Sequence, residues 1–203
     1  MRGFVLNLNA VRDEDLWVSI LSPTRVLRLY RFYGARHSVI QVGHKIDFEE
    51  EHEGRIPRLR RVIHLGFPWE RESHKRYWWQ QYIQLLYRHL RDVEEIEEFY
   101  YLLLERLSLR LEKQEAKRAI LEAHTELLKK EGRSDGLVRC FLCEEEISEH
   151  VAFARGFLGA HPECVLNTGF RSIQARRFLS ESDATQMSDE EIEELWKVLL
   201  LGI

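Results

Sequence analysis

Four residues of this chain have the types and spacing to hold a metal ion. Cys140 and Cys143 form a C-x2-C pair, and His161 and Cys164 form an H-x2-C pair after an interval of seventeen residues. Each x2 turn brings two soft ligands together, and two such pairs suit tetrahedral Zn2+. His150 competes as fourth ligand but lacks the x2 spacing to Cys164. Three alternatives remain for the cysteines: ordinary buried thiols, a redox pair, or a disulfide with one free thiol. The redox reading needs a thioredoxin-like βαβ setting, and the sequence shows none. The segment between the pairs is too short to bury a core of its own, so metal binding is expected to supply its folding energy, on the order of 10 kcal/mol.

A second set of candidates is basic and aromatic. Arg25, Arg28, Arg31 and Arg36 with Tyr33 form one run, and Arg55, Arg58, Arg60 and Arg61 form another. Guanidinium groups fork onto phosphate oxygens, and aromatic rings stack on bases without reading sequence. The competing reading is a solvated charged surface. A third set, Arg106, Arg110, Lys113, Lys117 and Arg118, recurs at three-to-four spacing along two helices. Beside an apolar groove it would suit an acidic, hydrophobic peptide.

The elements that must position these residues follow from periodicity. Residues 1–65 read as five short strands with polar turns: Gly3–Asn9, Leu16–Ser22, Arg25–Ala35, Ser38–Glu51 and Leu59–Gly66. In the third run Val26, Arg28, Tyr30 and Phe32 share one face, and Arg25, Leu27, Leu29, Arg31 and Tyr33 the other. Five strands without interleaved helices suggest a small closed barrel. From Trp69 the period becomes helical. Glu72–Arg91 is one helix. Asp92 with Glu95 makes a candidate capping box for the next, whose apolar stripe is Val93, Ile96, Tyr100, Leu103 and Leu107. Lys113–Lys130 is a third helix, closed by Lys129, Lys130 and Gly132. The aromatic cluster Tyr77, Trp78, Trp79, Tyr82 and Tyr87 is expected in packing. Thr168–Leu179 reads as a short helix, and Ser188 with Glu191 caps a last one. The expected architecture is therefore α+β: a β-barrel over 1–68, then an α-helical domain over 69–203 carrying the metal loop 139–164.

The chain of 203 residues has a net charge of −4, but the charge is uneven. Residues 1–80 hold 14 Lys/Arg against 10 Asp/Glu, whereas 144–203 hold 5 against 12. A basic N-terminal end meeting a polyanion is the expectation. Without a signal-peptide pattern or a long apolar run, a cytoplasmic protein is expected. There, cysteine clusters bind metal more often than they form disulfides.

The order of barrel, helices, metal knuckle and further helix resembles the bacterial recombination mediator RecO family. The likeness rests on Arg2-Gly3-Phe4-Val5-Leu6, Leu21-Ser22-Pro23 followed by Val26-Leu27, Gly34-Ala35-Arg36, Leu59-Arg60-Arg61 and the two ligand pairs. The family's zinc-bearing members more usually carry Cys-x2-Cys as the second pair, where this chain has His161-x2-Cys164. The resemblance implies an N-terminal OB-fold that binds single- and double-stranded DNA, and a non-enzymatic role in DNA repair and recombination. It implies annealing of complementary strands, binding to the acidic tail of the single-stranded-DNA-binding protein, and pairing with RecR to load RecA. Two other function classes compete. A zinc deaminase would need a C-x-x-C after its H-x-E, and none follows His161-Pro162-Glu163. An HNH-like nuclease with His150 or His161 as base would need an Asp/His cluster for a second metal. A zinc-knuckle adaptor that docks a protein partner without touching DNA is the remaining alternative.

Overall fold

The computed structural model describes all residues except 12–13, 34–38, 53–54 and 135–136. The chain divides into two compact units, Met1–Glu112 and Lys113–Ile203. The barrel strands end at His64. The first compact unit continues through two helices beyond it.

Unit 1 holds five strands: β1 (Arg2–Ala10), β2 (Leu16–Leu21), β3 (Val26–Arg31), β4 (Lys45–Glu51) and β5 (Arg58–His64). They close into a barrel in the order β1-β2-β3-β5-β4. β1 closes antiparallel onto β4, and β3 meets β5 in parallel at Tyr30 and Arg58. Closure removes the exposed edges that an open sheet would carry. Alternation decides which side chains fill it. Val5, Val18, Ile20, Leu27, Leu29, Ile46, Phe48 and Leu59 form a buried cluster, while Arg28, between Leu27 and Leu29, points out. The parity expected for β3 therefore holds. Gly3 sits where a Cβ would lie 2.5 Å from Ile20 Cγ2 and 2.8 Å from the Leu21 carbonyl, so a side chain there would collide with β2.

A 3-10 turn (Pro68–Arg71) leads to α1 (Ser73–Leu90) and later α2 (Phe99–Arg110). Phe4 leaves the barrel wall to meet Phe67, Trp79 and Tyr101, with ring centroids 5.4–6.4 Å apart. The Trp69 and Trp79 indoles are buried and donate to the carbonyls of Ser108 and Gly43. Of the expected aromatic cluster, Trp79 and Tyr82 are core, whereas Tyr77 is exposed.

Residues 92–96 depart from expectation. The Asp92/Glu95 pair does not cap a helix. Glu95 forms a β-bridge with Arg25, Val26 N–H donates to the Glu94 carbonyl, and Ile96 N–H to that of Thr24. These bonds extend the open end of β3, so α2 starts at Phe99 rather than near Val93. A local capping pattern lost to a non-local strand pairing that satisfies the same backbone groups.

Unit 2 packs α3 (Ala116–Lys130) against α5 (Ser172–Glu181) and α6 (Asp189–Leu200). α3 is buried along most of its length. Gly132, at φ 69°, follows its end as expected. Ser188 and Glu191 form the expected capping box of α6. Two strands between the ligand pairs and one beyond them form a three-stranded sheet, in the order β7 (Gly159–Ala160), β6 (His150–Phe153), β8 (Phe170–Arg171). This segment is not without a core: Val151, Phe153 and Phe157 are buried, and Phe153 and Phe157 pack with Phe170 and Phe178. The helix expected at Thr168 begins at Ser172, because Phe170 and Arg171 pair with β6.

Candidate functional site

Chemistry-bearing side chains gather in both units. In unit 1 the tight turn Ser22–Arg25, closed by Ser22 N–H donating to the Arg25 carbonyl at 2.9 Å, sets the register of β2 on β3. Trp17 then lies opposite Tyr30, and Ser19 opposite Arg28. The rings of Trp17, Tyr30 and Phe32 form an edge-to-face ladder, with centroids 5.2 and 5.0 Å apart. A guanidinium lies over each end: Arg28 is 4.9 Å from the Trp17 ring centroid and Arg58 is 5.3 Å from that of Phe32. The Tyr30 hydroxyl donates to Asp15 at 2.6 Å, and Asp15 also accepts the Tyr33 N–H, which anchors the ladder. A cleft of about 540 Å³ opens beside it, lined by Asn9, Ser19, Arg25, Arg28, Tyr87 and Arg91 among others.

The other arginines have different surroundings. Arg25 lies 3.6 Å from Glu50. Arg60 donates to Glu51 at 2.8 Å, and Arg61 to Glu49 at 3.0 Å. β4 thus sets a row of glutamates against β5, with Glu49 opposite Arg60 and Glu51 opposite Arg58. Arg31 turns inward to donate to the Leu59 carbonyl at 3.0 Å. Burial, then the neighbouring Arg60, lowers its pKa. Tyr33 and Arg55 are exposed, and Arg36 lies outside the described residues. The structure therefore brings Arg28 and Arg58 together on one aromatic stripe, although Arg58 also lies 3.8 Å from Glu51, and leaves Arg25, Arg60 and Arg61 beside acids.

Trp17, Tyr30 and Phe32 were not singled out as site residues by sequence. The available signal was the short Ser22–Arg25 turn, which fixes which β2 residue faces Tyr30.

The third candidate set falls across both units. Arg106 and Arg110 lie on α2, with the Arg106 guanidinium over the Phe99 ring at 5.9 Å. Lys113 is exposed. In unit 2 Lys117 pairs with Glu193 at 2.6 Å, and Arg118 donates to the Ala184 carbonyl and to Asp189, both at 2.7 Å. Lys117 and Arg118 hold α6 and its leading loop to α3.

The ligand pairs converge as their spacing implied. The Cys140, Cys143 and Cys164 sulfurs and one His161 nitrogen all lie within 4.8 Å of one another. The first pair sits on a hairpin: Ile147 N–H donates to the Val138 carbonyl, Cys140 N–H to that of Glu145, and Glu144 adopts φ 63°. The second pair sits on the single helical turn α4 (Pro162–Val165), which Leu166 closes in the left-handed region. His161 Nδ1 faces the sulfurs, 3.3 Å from Cys143 and 3.9 Å from Cys164, and Nε2 is 3.1 Å from the Glu146 carbonyl. An Nε2–H bond to that carbonyl leaves Nδ1 with the lone pair a metal requires. Sulfurs bound to one tetrahedral zinc at about 2.3 Å stand about 3.8 Å apart, so the donor set fits such an ion with little movement. His150 lies on β6 and is not part of the cluster.

The thiols are electrostatically unequal. Burial raises the Cys140 pKa, but backbone N–H groups around Cys143, His161 and Leu142 outweigh it and hold the thiol down to about 6. Burial, then the adjoining Cys143 and Cys140, pushes Cys164 up to about 11. Converging sulfurs repel one another as anions, and a bound cation reverses that penalty.

A closed five-stranded barrel in this order, with basic and aromatic side chains on its outer wall, defines an OB-like domain. Residues 1–70 match the family model described as RecO N terminal. The match covers the barrel and the turn that follows it. No curated protein sequence matches the chain. Among the described residues no helix is long and apolar enough to cross a membrane.

Proposed function

We propose that the chain is a non-enzymatic DNA-repair and recombination mediator, which binds single- and double-stranded DNA on the outer face of its barrel. The observation that carries this reading is the Trp17–Tyr30–Phe32 ladder with Arg28 and Arg58 over its ends. Rings of this kind stack bases of any identity, and guanidinium groups hold the backbone phosphates. Further steps rest on the family: annealing of complementary strands, and loading of RecA, with RecR, onto DNA coated by single-stranded-DNA-binding protein. The acidic tail of that protein is the proposed partner for the basic residues Arg106 and Arg110 of α2. The site of action is the cytoplasm, at the nucleoid. The Cys3His set holds Zn2+ as a structural ion: four protein ligands leave no open position for a substrate. The barrel forms the working domain, and the helices with the metal loop form its scaffold and partner surface.

The glutamate row on β4 favours the competing reading, an adaptor whose barrel does not touch DNA, since it offsets Arg25, Arg58, Arg60 and Arg61. Fluorescence anisotropy with a labelled single strand separates the two. For DNA binding, affinity falls steeply with salt, Trp17→Ala weakens it by about 1–3 kcal/mol, and Arg28→Ala makes the log–log salt slope shallower by about 0.7. Binding that is absent, or indifferent to salt and to both substitutions, establishes the adaptor.

A further inference from the structure

Away from both sites, three segments of unit 1 converge on one point. His44 precedes β4, His64 ends β5, and Glu70 lies in the 3-10 turn. One nitrogen from each histidine and one Glu70 oxygen lie within 4.8 Å of one another. His64 Nε2 and Glu70 Oε1 are 3.0 Å apart. His44 Nδ1 is 3.0 Å from the Val39 carbonyl, and the two imidazole rings stack at 3.9 Å and 14°.

We infer that His44, His64 and Glu70 form a second divalent transition-metal site, open to solvent and separate from the Cys3His centre. The His64–Glu70 spacing is the first reason. Two ligands at about 2.1 Å and right angles around one ion stand about 3.0 Å apart, so the observed spacing suits an ion between them. The second reason is His44. A bond from its Nδ1–H to Val39 orients the ring and leaves Nε2 as the ligating nitrogen, as a carbonyl partner does in histidine metal sites. Binding opens the stack: the His64 ring turns toward the ion while His44 keeps its bond to Val39.

Two imidazoles and one carboxylate suit Zn2+, Ni2+, Co2+ or Fe2+, and three protein ligands leave positions for water. A cleft of about 540 Å³ lined by His64, Gly66, Phe67, Glu70 and Arg71 provides the room. The neighbouring cation Arg76 donates to the Glu70 backbone carbonyl at 3.5 Å. The ion would tie the turn before β4 and the end of β5 to the 3-10 turn.

The test uses the full, untagged chain with its Cys3His centre first saturated with Zn2+. Calorimetric titration with Ni2+ alone is expected to find one further equivalent. Co2+ is expected to give weak d–d bands without thiolate charge transfer. Glu70→Gln is expected to weaken binding tenfold or more, and His44→Ala with His64→Ala to abolish it. If the double variant fails to fold by circular dichroism, Glu70→Gln and His44→Gln decide, with unaltered affinity in both overturning the assignment. No further equivalent, or one that persists undiminished in a folded double variant, also overturns it, the latter by assigning binding to other surface histidines. The outcome is independent of DNA binding.

Discussion

At the scale of single residues, position in the fold sorts groups that composition treats alike. Arg28 and Arg58 lie over aromatic rings, while Arg60 and Arg61 are tied to glutamates across the strand pair. Tyr101 shows the same dependence. It packs on Phe4, and burial, then Glu105, pushes its phenol up to about 12. The unfolded chain loses this proton near pH 10, before the folded one. The stability from Tyr101 is therefore complete below pH 10 and is lost as pH rises toward 12, on the order of 1 kcal/mol after solvent screening. Urea unfolding from pH 9 to 12 is expected to show this loss in the parent chain and a flatter profile in Tyr101→Phe.

At the scale of elements, caps and pairings decide where helices begin. The Ser188/Glu191 box satisfies both its bonds, with Glu191 N–H to Ser188 Oγ at 3.2 Å and Ser188 N–H to Glu191 Oε2 at 2.7 Å. Ser188→Ala is expected to destabilise unit 2 by about 1 kcal/mol, read as a shift in its denaturation midpoint without a change in slope. The Asp92/Glu95 pattern looks alike in sequence, yet its backbone groups are taken by Thr24, Arg25 and Val26.

At the scale of the whole molecule, the Cys3His cluster belongs to one compact unit and the aromatic face to the other. Its ligands join the 138–147 hairpin to α4 within unit 2. Chelation, or Cys140→Ser, is expected to unfold unit 2 and leave the barrel folded and bound to DNA. Circular dichroism with anisotropy on the same sample checks this. Loss of DNA affinity while the helices of unit 2 remain folded would place the metal loop in the DNA contact. The ligand set and the barrel interior were legible in the sequence, because both are written in local spacing: x2 turns for the ligands, and alternation in strands whose inner face is buried. Leu27 and Leu29 against Arg28 is the clearest case. Tertiary structure alone decided the rest. Which ring faces which depends on register between strands, so Trp17 joined Tyr30 only once β2 and β3 were paired. Which arginines remain available depends on the neighbouring strand, and β4 placed its glutamates beside β5. His44, His64 and Glu70 share no local spacing at all, and only barrel closure and the turn that follows bring their donor atoms together.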